Sequence, residues 1–320
     1  MPYFVEEMIL VRIAAIDIGT NSIRLLVVDE KADHLQVVRQ ELTPTRLGQG
    51  LGESRSLLPE AQERTARAVA EFYTVARSMG SSAVRVFATS AVRDAVNREE
   101  FLSRIQSEIG LRPEVLNGET EARFSFLGAT RAVGVQGRIL VVDVGGGSTE
   151  LVWGEKEQVA VAWSLNIGAV RLTETYLKTD PATEGELREL RAVIRSALRQ
   201  VEPVYLGSET KAVAVGGTAT TLAAMGLGLK EYSPDKVQGF ILSAQDLRGF
   251  LLLLASLRVA ERKGLPGLPA ARADIILAGT MILQLVQERF ELGSYIVSDA
   301  DSLLGSLYDL RAGTSGNEKT

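Results

Sequence analysis

Residues 17–25 read Asp17-Ile-Gly-Thr-Asn-Ser-Ile-Arg-Leu25, and residues 143–151 read Asp143-Val-Gly-Gly-Gly-Ser-Thr-Glu-Leu151. Asp, Gly, Ser and Leu recur at identical offsets in the two stretches. Each follows an apolar run, residues 11–16 and 139–143, and each leads into another, 25–28 and 151–153. A strand, a tight glycine-rich turn opened by an acid, and a second strand make a β-hairpin. A single Asp-x-Gly turn is a common connector. Two at matching offsets point to a duplicated domain whose halves face each other.

The rest of the chain fits that plan. Its 320 residues correspond to two domains of roughly 150 residues each. Strand-like runs at 11–16, 84–88, 139–143, 211–215 and 295–297 alternate with helical patterns at 60–79, 99–109, 119–132, 184–201, 274–289 and 301–311. That alternation predicts α/β layers. Pro59 suits a first helical turn, and Asn97 with Glu100 resembles a capping box. The Gly/Ser/Thr-rich residues 312–320 read as a disordered tail.

Composition excludes several chemistries. The hydrophobic fraction of 46% with 23% charged residues is globular. A net charge of −5 leaves nothing to attract nucleic acid or an anionic membrane, so an anionic ligand needs a local site. The absence of cysteine removes disulfides, thiolate nucleophiles and Cys-ligated zinc. His34 is the single histidine, set between Asp33 and Leu35 in a predicted exposed turn, so a His-cluster metal site is excluded. Residues 1–7 contain two glutamates and no basic run, unlike a signal peptide. The apolar run 250–257 is far short of the roughly 20 residues a membrane span needs. A cytoplasmic protein with no nucleic-acid or membrane partner is expected.

The doubled hairpin points to phosphate. Glycine lets backbone approach a ligand closely, and successive N–H groups in such a turn form a concave anion site. Gly19, Thr20, Asn21 and Ser22 offer such donors in the first turn; Gly145, Gly146, Gly147, Ser148 and Thr149 offer them in the second. Asp17 and Asp143 would repel bare phosphate, so a cation is expected between them. Magnesium, which favours carboxylate, water and phosphate oxygens, fits. A third loop, Gly216-Gly217-Thr218, follows a strand and opens a helix, where free N–H groups and the helix dipole attract anions. Neither a P-loop nor a dinucleotide-binding glycine fingerprint is present.

Seven stretches resemble the exopolyphosphatase/guanosine pentaphosphate phosphohydrolase (Ppx/GppA) family: residues 17–24 (DIGTNSIR), 46–48 (RLG), 88–93 (ATSAVR), 117–123 (NGETEAR), 142–152 (VDVGGGSTELV), 168–174 (GAVRLTE) and 215–222 (VGGTATTL). They run in order and cover nearly the whole chain. The resemblance implies an actin-like (ribonuclease H-like) fold of duplicated domains with an interdomain cleft. It divides the chain into residues 1–125 plus 298–311, with a returning carboxyl-terminal helix, and residues 126–297. It also implies roles: Glu121 activates the attacking water, Asp143 and Glu150 organise metal and water with Asp17 in the mirror position, and Arg93 binds phosphate. For Arg24, Arg46 and Arg171, phosphate contact and pairing with nearby acids both stand open. Glu119 lies about 200° around a helix from Glu121, so one of the two faces the cleft.

The implied activity is magnesium-assisted hydrolysis of the terminal phosphoanhydride of inorganic polyphosphate or of guanosine pentaphosphate. The chain looks like the short, two-domain form, and a homodimer would lengthen a polymer groove. Gln238 stands where the family often has histidine, and Ser302-Leu-Leu304 precedes Gly305 where Leu-Arg-Glu is frequent. Two rivals keep the fold: a kinase, separated by its acceptor, and a non-catalytic nucleotide or polyphosphate sensor, separated by binding without phosphate release.

Overall fold

The computed structural model describes residues 11–32, 34–134, 137–202 and 210–317. Residues 1–7, Asp33 and residues 318–320, on which parts of the sequence reading fall, lie outside them. The first half contains β1 (Arg12–Ile18), β2 (Ser22–Glu30), β3 (Leu35–Pro44), α1 (Leu51–Ser54), α2 (Pro59–Ser78), β4 (Ala83–Ala88), α3 (Ser90–Asp94), α4 (Arg98–Ile109), β5 (Glu114–Val115) and α5 (Gly118–Val133). The second contains β6 (Arg138–Val144), β7 (Thr149–Glu155), β8 (Gln158–Leu165), α6 (Ala169–Tyr176), α7 (Glu184–Leu198), β9 (Lys211–Val215) and α8 (Gly216–Gly226). It continues through α9 (Pro234–Val237), β10 (Ile241–Ser243), α10 (Ala244–Ser256), α11 (Val259–Arg262), α12 (Ile276–Arg289) and β11 (Ser294–Val297), and α13 (Ser302–Asn317) follows.

The two sheets repeat one design. The first is ordered β3-β2-β1-β4-β5, the second β8-β7-β6-β9-β11-β10. In each, an antiparallel meander (β1-β2-β3, β6-β7-β8) is extended by strands parallel to its first member, β4 and β5 or β9 and β11. Traced twice in one chain, this is the actin-like α/β arrangement. Sheet position explains the strand sequences. β1 (RIAAIDI) and β6 (RILVVDV) are central and buried almost throughout, so they read as continuous apolar runs. Edge strand β3 (LQVVRQELTP) is mostly exposed and mixes charge with apolar residues, which is why its sequence carries no strong strand signal.

Helix ends follow local chemistry. Pro59 opens α2. Asn117 caps α5 by accepting from Thr120 N at 2.8 Å. Asn97 does not form the expected capping box: its side chain instead clamps the Leu57 peptide, accepting from Leu57 N (2.8 Å) and donating to Leu57 O (3.0 Å), and α4 begins without a side-chain cap.

α5 belongs to both halves. Phe124 packs with Phe87, Leu303 and Leu307 under the first sheet, whereas Phe126 and Ala129 pack on Ile139, Val141 and Val152 of the second. A boundary between residues 125 and 126 therefore falls inside one continuous helix. α13 crosses α5 at glycines: a Cβ on Gly305 would overlap the Phe124 carbonyl, and one on Gly128 the Asp301 carbonyl. The helix also runs on to Asn317 rather than giving way to an irregular tail after residue 311. Extending an anchored helix costs far less than nucleating one, so its composition does not stop it at that point. No helix among the described residues is long and apolar enough to cross a membrane.

Candidate active site

β1 and β6 end at one cleft, and each delivers its aspartate there. Both turns close alike: Gly19 N donates to Ser22 O at 3.1 Å, and Gly145 N to Ser148 O at 3.0 Å. A Cβ on either glycine would lie 2.9 or 3.1 Å from that same carbonyl, so the tight turn excludes larger residues. The third wall is the first turn of α8, where Gly216, Gly217 and Thr218 line the cleft with no side-chain cap on their amides. Unengaged N–H groups and the helix dipole there favour an anion. Gly216 adopts φ +82, and the Asp143 carboxylate lies where its Cβ would stand.

The cleft is crowded with carboxylates. Asp17, Glu121, Asp143, Glu150 and Asp301 all face it and all are buried. Arg24 bridges two of them, donating Nε to Asp17 Oδ2 at 3.1 Å and Nη1 to Asp301 Oδ2. Asp143 accepts from Ser125 Oγ at 2.5 Å, and Glu150 from Ser164 Oγ at 2.7 Å; neither forms an ion pair with a described residue. Burial raises every one of these pKa values that shifts: Asp17 upward against the pull of Arg24, Asp143 to about 6, Glu150 well above the usual range. Glu121 is raised to about 7, by burial first; Arg93 opposes the shift, and Asp143 and Asp17 add to it. Asp143 and Glu150 sit directly opposite on β6 and β7, and two uncompensated carboxylates so placed repel.

A hard cation relieves that repulsion. Among the described residues no group of three or more His, Asp or Glu side chains is arranged to hold a metal unaided. The donor set nonetheless suits magnesium, which keeps several waters and is completed by substrate phosphate. Asp143 and Glu150 would supply the charge, whereas Asp17 is already paired with Arg24.

Most residues singled out from the sequence meet here: Asp17, Gly19, Thr20, Asn21, Ser22, Arg24, Glu121, Asp143, Gly145, Gly146, Ser148, Glu150, Gly216, Gly217 and Thr218 line one cleft. Three do not. Arg93 stands behind Glu121, donating Nη1 to Glu121 Oε2 at 2.8 Å and to Leu116 O at 3.1 Å, so it acts on the acid. Thr149 Oγ1 is spent on Ile167 O at 2.6 Å. Gly147 instead faces Thr20 and Ser90, and its carbonyl accepts from Arg171 Nε at 2.8 Å. Glu119 is exposed while Glu121 is buried in the cleft, as their angular separation requires. Arg24, Arg46 and Arg171 are each ion-paired, with Asp17 and Asp301, with Asp274, and with Asp94.

Sequence reasoning missed Thr89, Ser90, Arg272, Asp301 and Ser302. Arg272 matters most. Its guanidinium lies over Gly217, where a Cβ would overlap it, and makes no hydrogen bond or ion pair with a described residue. Burial and nearby Arg24 lower its pKa to about 10, so it remains cationic at neutral pH. A cation without a protein counter-ion beside free helix amides suits phosphate oxygens.

Fold and cleft together define a two-domain protein of the actin-like class built to grip phosphate between its halves. The model of the Ppx/GppA phosphatase family matches residues 26–312, and the chain belongs to that family. Exopolyphosphatase 2 of Mycobacterium tuberculosis is 36% identical over 313 residues, covering 93% of this chain and 98% of that one. The solved Ppx/GppA family member of Aquifex aeolicus is 34% identical with a TM-score of 0.82, covering 95% and 99% of the two chains. A solved exopolyphosphatase from Cytophaga hutchinsonii, 26% identical, superposes with a TM-score of 0.85 over 94% and 98%.

Proposed function

We propose that this protein is a magnesium-dependent hydrolase that releases the terminal phosphate of inorganic polyphosphate in the cytoplasm. The observation that carries the reading is the opposed, uncompensated Asp143–Glu150 pair beside Glu121, facing Arg272 and the open amides of α8 in one cleft. Asp143 and Glu150 would hold magnesium, which would supply charge neutralisation to the terminal phosphoryl group. Hairpin and α8 amides hold the phosphate oxygens, and Arg272 takes charge moving onto the leaving chain. Glu121, poised near neutrality, orients the attacking water and accepts its proton. Phosphoryl transfer has a loose transition state, so alignment and charge balance dominate the rate.

One assay panel tests this: polyphosphates of several lengths, guanosine pentaphosphate and ATP, each with and without magnesium. Magnesium-dependent phosphate release from polyphosphate with water as sole acceptor is expected. Release only from guanosine pentaphosphate would move the substrate to the nucleotide. Tight binding with no release from any of them would overturn the enzyme in favour of a sensor.

A further inference from the structure

Arg272 reaches the cleft from the segment joining α11 to α12, and no described side chain or carbonyl holds its guanidinium. A long side chain without partners is placed by its backbone, and this backbone is held from the opposite half of the molecule. Arg46, in the turn after β3, forks onto Asp274: Nη1 to Oδ2 at 2.9 Å and Nη2 to Oδ1 at 3.1 Å. The same Nη2 donates to Ala271 O at 3.1 Å. The residues flanking Arg272 on both sides are thus tied to one guanidinium.

Arg46 is itself fixed to the first phosphate turn. It adopts φ 49, a conformation non-glycine residues seldom take, and its N–H donates to Asn21 O at 2.8 Å. Two residues on, Gly48 N donates to Thr20 O at 2.9 Å. An unbroken run of contacts therefore leads from the Thr20–Asn21 turn, through Arg46, to the backbone that aims Arg272. The strap joins the two halves and exists only while they are together. A bidentate arginine–carboxylate fork fixes geometry as well as charge, which a single point contact does not.

We propose that Arg46 and Asp274 are positioning residues that set Arg272 against substrate phosphate, so that closing the cleft completes the phosphate receptor. The inference rests on the hydrolase reading above. Its test is a double-mutant cycle on polyphosphate hydrolysis. Asp274→Asn should lower kcat/KM about tenfold in the otherwise wild-type enzyme, a modest case of what misplaced alignment costs. With Arg272→Ala already present, the same change should have under about a twofold effect, and Asp274→Glu should retain at least half of wild-type kcat/KM. Equal penalties in both backgrounds would overturn the proposal and leave the strap a simple tie between domains. The same cycle is read without turnover by the rise in Tm that tripolyphosphate produces: Asp274→Asn should reduce that rise only while Arg272 is present. A wild-type enzyme that shows the cycle in Tm yet releases no phosphate would sink the hydrolase reading and keep the inference. Unchanged Tm of each variant without ligand verifies folding.

Discussion

The two hairpins share a turn but have taken opposite charges at one position. In the first, the residue seven places after the aspartate is Arg24, and it lies directly across the strands from Asp17. In the second, the equivalent residue is Glu150, directly across from Asp143. In the first hairpin Arg24 offsets Asp17 and bridges to Asp301; in the second, neither acid has an ion-paired cation among the described residues. One backbone solution thus serves two jobs. The first copy carries its own counter-ion in Arg24, whereas the second has none among the described residues. The division teaches where an added cation would meet uncompensated charge, which the turn geometry alone does not.

The largest effect should come from the acid between the hairpins. Glu121→Gln is expected to cut turnover by about 10²–10⁴, the range for loss of a general base, with KM little changed in steady-state assays. The comparison itself breaks if the two aspartates behave alike. Asp143→Asn should lower kcat by about 10² or more and raise the magnesium concentration needed for half-maximal rate, whereas Asp17→Asn should leave that magnesium dependence near wild type. Next comes pH. Glu121 works ionised, so kcat/KM should climb through about pH 7 and level off above it; Arg93→Gln removes the charge that opposes burial and should move that limb upward.

The smallest effect is on stability. Folding raises Glu121 to about 7 and Asp143 to about 6, so the metal-free folded state binds protons more tightly than the unfolded chain. Stability from these groups is complete below their unfolded values near 4 and is lost as the pH rises through 6 to 7. Thermal melts without magnesium should therefore fall across that window, and magnesium should restore Tm at pH 8. Glu150→Gln should stabilise the metal-free protein at pH 8 by up to about 1 kcal/mol while lowering activity. A loss of stability there would mean that Glu150 is not repelled by Asp143.

What was legible in the sequence was whatever repeats locally. The matched Asp-x-Gly turns located both hairpins, and continuous apolar runs located the central strands. β3 and β8 escaped because edge strands expose polar residues and lose the buried pattern. The ends of the cleft escaped for another reason. Arg272 and Asp301 lie far along the chain from both turns and sit in no repeating pattern, so only tertiary structure brings them in. Arg24 shows the limit most sharply: sequence left phosphate contact and ion pairing open, and its partner Asp301 is supplied by the segment before α13. Spacing did decide between Glu119 and Glu121 in one respect, that a single helix face admits one of them.

The returning helix has a consequence for biosynthesis. α13 is translated after both sheets, yet Leu303 and Leu307 cover Ile13, Leu26, Val28 and Phe87 of the sheet translated first. While the chain emerges from the ribosome, that face has only the cover that Phe124 and Leu116 give it, and Arg24 waits for Asp301. The earliest strands must therefore be kept from wrong partners throughout translation, and a messenger truncated before this helix would yield neither a settled first half nor the Arg24–Asp301 bridge.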